Sequence, residues 1–296
     1  MSSTVVCIGV ACHDTIAVAA GAVVPDGRIV ASEIVEAGGG NAATAAVALA
    51  RLGIGVSFIG RVGRDETGER IGAGLAGEGV DVAGLKGTEG RTGRSVIIVN
   101  PETGQRSIVT YSGAAVTMTL TVDELEACAA AEWVHVDQTG FRVVRQLREA
   151  GIQTPVSLDG GTVVAGLDLG LVDMYAPTRN ELLRTMGTGD LEEALGRALA
   201  AGPRMVAVTC GEEGSVGAVR GEVLRVPAFA PPVMVSTLGA GDVFHGALLA
   251  GLVEGMGVGD ALRYANGAAA LACRAMDGRS GIPGRGELRG FVGLDF

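Results

Sequence analysis

"VSTLGAGDVFHGALLAGLVEG", residues 235–255, sets two glycines one residue apart, follows them with Asp242, and runs on into a long apolar stretch. Proline-bearing "VPAFAPPVMVST" (226–237) leads an extended segment into the turn, and the residues after it place apolar side chains at helical spacings. Backbone amides at 239–242 then converge at a helix N-terminus, which suits an anion. An acid there is either a helix cap or a base beside a phosphate. A phosphoryl-transfer site needs both the amides and a base at the attacking hydroxyl.

The rest of the chain repeats the alternation of extended segment and helix. Residues 4–12, 55–60, 132–137, 154–159, 171–177 and 205–211 are short, β-branched and bounded by turn residues, and read as buried strands. Helical patterns occupy 41–52, 65–78, 141–150, 189–201, 240–254 and 258–275. Such alternation predicts a mostly parallel sheet covered on both faces. Residues 15–36 and 92–112 instead alternate apolar with polar and turn at "PDG" and "PETG", the pattern of hairpins in a small half-exposed sheet. They are expected to form a lid on a single domain spanning residues 1–296.

Composition narrows the function. The chain has 296 residues, 49 of them glycine, and a net charge of −10 that argues against nucleic acid or an anionic membrane as partner. No stretch reads as a membrane span or a signal peptide. Five scattered cysteines without a CxxC fit a reduced, cytoplasmic protein. Lys86 is the only lysine, so arginine supplies the other 22 of the 23 basic residues. A Walker loop and a Schiff base both need a lysine in a setting that Lys86 lacks. Phosphate must therefore be held by backbone amides, metal or arginine.

Three further glycine clusters compete for attention. "GAGLAG" (72–77) matches GxGxxG but follows a helical stretch rather than a strand, so helix packing explains it better than a dinucleotide. "GRVGRDETGERI" (60–71) reads as a loop into a helix capped by Asp65. "EAGGGNAATAAVALARLG" (36–53) puts Gly38, Gly39 and Gly40 before Asn41. Asn41 is either a cap or, with bare backbone open to a ligand, an amide that donates to and accepts from that ligand's hydroxyls. His13, His135 and His245 have no ligand spacing or nucleophile partner, and no GxSxG occurs.

Asp14 after the first strand, "GGGNAATAAVALARLG", "GRVGRDETG", "VTCGEEGSV" (208–216), "STLGAGDVFHGALLAGL" and "RYANGAAALACRAMDGRSGIPG" (263–284), in this order, resemble the ribokinase/PfkB carbohydrate kinase family over nearly the whole chain. The resemblance implies a ribokinase-like three-layer αβα sandwich with a small β-sheet lid, and phosphorylation of a sugar or nucleoside hydroxyl by Mg-ATP. It implies Asp242 as base and Gly239, Ala240 and Gly241 as anion hole, with Asp14, Gly39, Gly40 and Asn41 gripping the acceptor. On the nucleotide side it implies Thr209, Gly211, Thr237 and Asn266. "APTRNELL" (176–183) is similar to the family's P-N-x-x-E metal motif, with Glu181 for Mg²⁺ and Thr178 where asparagine is usual. A second register starts at Asn180 and ends on Leu183. Ser236 stands where the turn commonly opens with aspartate, which leaves a monovalent cation as an open requirement.

The expected function is an ATP-dependent sugar kinase, with a ketose favoured because the motifs look closest to the ketohexokinase and sulfofructose kinase side of the family. The alternatives are a nucleoside kinase, which would need an aromatic clamp beyond Tyr111 and Phe141, and a sugar-binding regulator without catalysis. Unpaired hairpin edges would invite a homodimer through the lid.

Overall fold

The computed structural model describes residues 4–21, 24–102, 106–116, 118–219 and 221–294; part of the "PETG" turn lies outside them. The main sheet uses β1 (Val5–Ile8), β4 (Val56–Gly63), β5 (Asp81–Thr88), β8 (Trp133–Val136), β9 (Val156–Gly160), β10 (Met174–Pro177), β11 (Met205–Thr209), β12 (Ser215–Val219) and β13 (Glu222–Val226). A second sheet uses β2 (Cys12–Val18), β3 (Glu33–Gly39), β6 (Arg94–Val99) and β7 (Arg106–Tyr111). The helices are α1 (Asn41–Arg51), α2 (Glu66–Gly77), α3 (Val122–Ala130), α4 (Val144–Glu149), α5 (Arg179–Met186), α6 (Leu191–Ala200), α7 (Ala240–Val253), α8 (Val258–Ala272) and α9 (Arg285–Val292).

The strand order β13-β12-β11-β10-β9-β8-β1-β4-β5 is parallel from β11 to β5, and the β12–β13 hairpin closes one edge antiparallel. β1, β4 and β9 are buried along their whole length, as parallel strands between two helical layers must be. Leu49, Leu75, Leu248, Tyr264 and Leu288 bring α1, α2, α7, α8 and α9 onto one face, and Cys128, Leu147, Leu182 and Leu195 bring α3 to α6 onto the other. This is the expected three-layer sandwich.

The small sheet has the order β3-β2-β6-β7. Alternation gives it two faces: Ile16, Ile97 and Val99 are buried toward the main body, while Val96, Val109 and Ile34 point out. One expected strand, 4–12, is split. β1 ends at Ile8, and a Cβ on Gly9 would stand 2.3 Å from the Asp137 carboxylate, so the chain passes there as bare backbone and enters the lid at Cys12. Residues 141–150 begin as a 3₁₀ turn at Gly140–Val143 before α4.

Candidate active site

β1 hydrogen-bonds β4 on one side and β8 on the other, so the loops leaving β1 and β8 diverge and open a crevice at the strands' carboxyl ends. Asp137, one residue past β8, is wholly buried and buckles the two sides together. Its carboxylate accepts from the amides of Val10 (2.7 Å), Ala42 (3.3 Å), Thr139 (2.8 Å) and Gly140 (2.9 Å). Burial raises its pKa against the pull of these amides.

The crevice holds a cavity of about 490 Å³. Asp14, Gly40, Asn41, Thr209, Thr237, Gly239, Gly241 and Asp242 all line it, although they come from four separate stretches of chain. The volume suits a small ligand with part of a nucleotide.

On the acceptor side, the glycines before α1 serve a different purpose from the one expected. A Cβ on Gly38 would stand 2.3 Å from the Arg279 guanidinium, on Gly39 2.0 Å from the Asp14 carboxylate, and on Gly40 2.2 Å from the Val10 carbonyl. Their bare backbone makes room for the protein's own groups. Gly40 also has φ 97°, and it is the residue preceding the helix, so Asn41 is the first helical residue and not a cap. Asn41 Nδ2 instead donates to Asp242 (2.9 Å) and to Asp159 (3.3 Å). Asp14, 8% exposed, accepts from the Cys12 thiol at 3.3 Å, and burial raises its pKa. Arg279 is buried behind it and donates to the Gly39 carbonyl at 2.9 Å.

The glycine turn is tightened by Gly239, at φ 74°, whose added Cβ would meet the Gly278 backbone at 2.6 Å. The amide of Val243 is the first to close a helical bond, onto Gly239 at 2.9 Å, and the amide of Ala240 turns back to Thr237 at 3.3 Å. Ala240 is thus withdrawn from the expected anion hole. The amides of Gly241 and Asp242 are left without an intrahelical acceptor, and an added Cβ on Gly241 would meet nothing within 4 Å. Asp242 is the third residue of α7 and makes no cap bond. Its pKa is raised to about 7, first by burial and then by Asp159. From the lid, Arg106 reaches over and donates to the Thr237 hydroxyl at 2.6 Å.

Other expected residues stand apart. Gly39 packs on Asp14 rather than on the cavity, and Gly211, at φ 59°, opens a 3₁₀ turn beyond Thr209 without lining it. Asn266 spends its amide on the carbonyls of Val226 and Pro227, both at 3.1 Å, pinning the segment that leaves β13. Glu181 is bonded to Arg184 (2.9 Å to Nε), which holds its pKa low, and lies off the cavity. Thr178 does line the cavity and caps α5 by accepting from the Glu181 amide at 3.2 Å. "GAGLAG" lies inside α2, as expected of a decoy. Of its glycines, Gly72 comes against Leu85, with an added Cβ at 3.6 Å, whereas Gly74 and Gly77 have nothing within 4 Å.

Sequence reasoning passed over Asp159 and His245. Asp159 closes a predicted strand, at the carboxyl edge where α/β sites gather, and that position was a usable signal. His245 follows Asp242 by three residues, on the same helical face. Nothing in the sequence marks Arg279.

Comparison with known proteins agrees with this geometry. Residues 2–285 match the pfkB family carbohydrate kinase pattern. A fructokinase of Klebsiella pneumoniae is 30% identical over 293 residues, covering 90% of this chain and 94% of that protein. Arabidopsis thaliana ribokinase is 29% identical over 267 residues, covering 83% of this chain and 70% of that protein. Its structure complexed with ribose and ATP superposes with a TM-score of 0.85 at 27% identity and covers both chains completely. A putative ribokinase from Agrobacterium tumefaciens gives 0.89 at 29% identity, covering 99% of this chain and 98% of that one. Because the match runs along almost the whole sequence and not merely the fold, the chain belongs to the pfkB family of carbohydrate kinases, which are ATP-dependent phosphotransferases.

Proposed function

We propose that this kinase phosphorylates a hydroxyl of a small free sugar, a ketose before an aldose, with Asp242 as the base. One observation carries the reading: Asp242 stands in the first turn of α7 but is not spent as a cap, and Asn41 holds its carboxylate in the cavity that Asp14 also lines. The Asp242 carboxylate takes the acceptor's proton as its oxygen bonds to the γ-phosphorus. The bond from that phosphorus to the bridging oxygen breaks, and ADP leaves with the electron pair. The free amides of Gly241 and Asp242, at the positive end of the helix, receive the charge that develops on the phosphoryl oxygens. In this reading residues 1–296 form one kinase domain, with Thr209 and Thr237 on the nucleotide side.

The polar lining of Asp14, Asn41, Ser95, Thr110 and Gln138 favours a polyhydroxylated acceptor over a nucleoside. Apart from the His245 imidazole, Tyr111 is the only aromatic ring that lines the cavity among the described residues. The fold itself does not discriminate, since an adenosine kinase from Sinorhizobium meliloti superposes with a TM-score of 0.83. Among the described residues no group of three His, Cys, Asp or Glu side chains could hold a metal ion, and Glu181 is engaged by Arg184. Protein carboxylates thus supply no cage for Mg²⁺, which fits an ion bound through nucleotide phosphates and water. The Ser236 hydroxyl is already used, accepting from the Leu238 amide at 3.1 Å, so we expect little dependence on a monovalent cation.

The deciding experiment is a screen of ketoses, aldoses and nucleosides for acceptor-dependent ADP release, repeated with sodium in place of potassium. Release with fructose-like acceptors supports the reading; release with nucleosides alone overturns it. A second copy is the partner expected at the lid, because every residue of edge strand β7 is exposed and Val96, Val109 and Ile34 form an apolar outer face. Sedimentation giving a monomer at high micromolar concentration would remove that expectation. No helix among the described residues is long and apolar enough to cross a membrane, and all five cysteines are free.

A further inference from the structure

Beside Asp242, at the floor of the same cavity, stand two further polar side chains with little exposure, Asp159 and His245. His245 lies one turn deeper on α7 and is 4% exposed, and Asp159, near the end of β9, is 3% exposed. The His245 Nδ1 and Asp159 Oδ2 are 3.3 Å apart. That same Asp159 oxygen accepts from Asn41 Nδ2, which also donates to Asp242. His135 on β8 completes the cluster, its ring 5.9 Å from that of His245 and its Nδ1 3.2 Å from the Ser157 hydroxyl.

Two carboxylates sharing one amide nitrogen pose an electrostatic problem. In a buried site such a pair competes for one proton, and the member that ionises first raises the other. A kinase base has to be ionised when the hydroxyl arrives, so the second carboxylate must be neutralised or removed. A buried charge without a partner costs several kcal/mol, which makes an adventitious Asp159 hard to explain.

We infer that the buried His245–Asp159 pair is a positioning device for the base: through Asn41 it fixes the direction of the Asp242 carboxylate, and by offsetting part of the charge of Asp159 it limits the repulsion that opposes ionisation of Asp242. This rests on Asp242 being the base. The two histidines show the device at work. His135 has only a hydroxyl for its partner, and burial followed by repulsion from His245 lowers its pKa to about 3. Burial is the largest influence on His245 and depresses it, yet Asp159, with Asp242 and the Ala176 carbonyl, turns the net shift upward. Asp159 goes the other way, pushed up by burial and pulled below the ordinary range chiefly by His245.

The remaining charged and titratable neighbours do not duplicate this role. Facing Asp242 are Asp137 beyond β8, which is committed to four amides, and Arg279, which points at Asp14 and Gly39. Facing His245 from β10 is the Ala176 carbonyl, which favours the protonated ring. Arg106 from the lid donates to the Thr237 hydroxyl and Arg142 lines the same cavity as Asp159, while His135 adds a weaker pull on Asp159.

The test is the pH profile of kcat/KM for the acceptor that the screen identifies, with His245→Asn, Asp159→Asn and the double variant. His245→Asn should move the acid limb up by about 1 pH unit or more, since two carboxylates then share the site without a counterion. Asp159→Asn should move it down by a similar amount, and the double variant should return it toward wild type. Limbs that stay in place while activity or melting temperature falls overturn the inference in favour of a packing role. Should the variants not fold, side-chain NMR of the wild type decides: His245 as imidazolium and His135 neutral at pH 7 support the inference, and a neutral His245 overturns it. Turnover by Asp242→Asn reports separately on the base, so either idea can fail without the other.

Discussion

Asp65 and Asp242 present the same local picture in the sequence, an acid beside glycines at the start of a helix, and the fold uses them in opposite ways. Asp65 precedes α2 as its cap, accepting from the Gly68 amide at 2.9 Å and the Thr92 amide at 3.0 Å. Those bonds, with the Thr92 hydroxyl first among them, lower its pKa. Asp242 lies three residues further along its helix, makes no cap bond, and has its pKa raised by burial and Asp159. A carboxylate that satisfies amides is used up by the fold. One that is held in a cavity at an electrostatic cost is available for chemistry.

The sharpest way to break this contrast is Asp242→Asn. It should fold and bind ATP but lose turnover by roughly 10²–10⁴, about 3–5.5 kcal/mol of barrier. Near-wild-type kcat in a protein of normal melting temperature would end the assignment of Asp242 as base. Next in size is Asp14→Ala, which removes a partner to a substrate hydroxyl and should weaken the acceptor KM by about 1–3 kcal/mol while ATP binding holds. Equal losses for both substrates would make Asp14 a folding residue. Asp65→Ala should do the reverse of Asp242→Asn, costing about 0.5–2 kcal/mol of stability by denaturant unfolding with kcat little changed.

The smallest effect is one of sign. A carboxyl whose pKa is raised by folding contributes stability that is present below the unfolded value near 3.8 and is lost as pH rises through about 7. The melting temperature of Asp242→Asn should therefore gain on wild type as pH rises from 5 to 8. Asp65 has the opposite sign: its contribution is present above pH 3.8 and is lost on acidification. Its Ala variant should approach wild type only toward pH 3. Parallel melting curves across both ranges would erase the distinction between the two acids.

What could be read before folding was what depends on near neighbours. The helix after Gly239, the alternation of β6 and the buried run of β4 are set by φ, period and local burial, and each falls within the stretch its pattern marked or overlaps it, whereas the run 4–12 is divided between two sheets. β5, with two glycines and the sole lysine in "DVAGLKGT", carries no such period and went unread, as did α9 with two glycines inside "RGELRGFV". The roles of Gly38 and Gly39 depend on Arg279 and Asp14, which only the completed fold brings against them. Asn266 could be placed on its helix, but not its attachment to Val226 and Pro227. His245 looked solitary because its partner lies on another strand.

The order of strands also has a consequence for how this protein comes off the ribosome. β1 and β4 can pair early, but the other edge of β1, "VVCI", stays open until residues 133–136 have been made. An apolar edge left unpaired that long is a place where nascent chains join one another. Asp14 and Asn41 belong to the early half, and Asp159 and Asp242 to the late half. The cavity therefore cannot be complete, and its ligands cannot stabilise the chain, until synthesis has passed the glycine turn that carries Asp242.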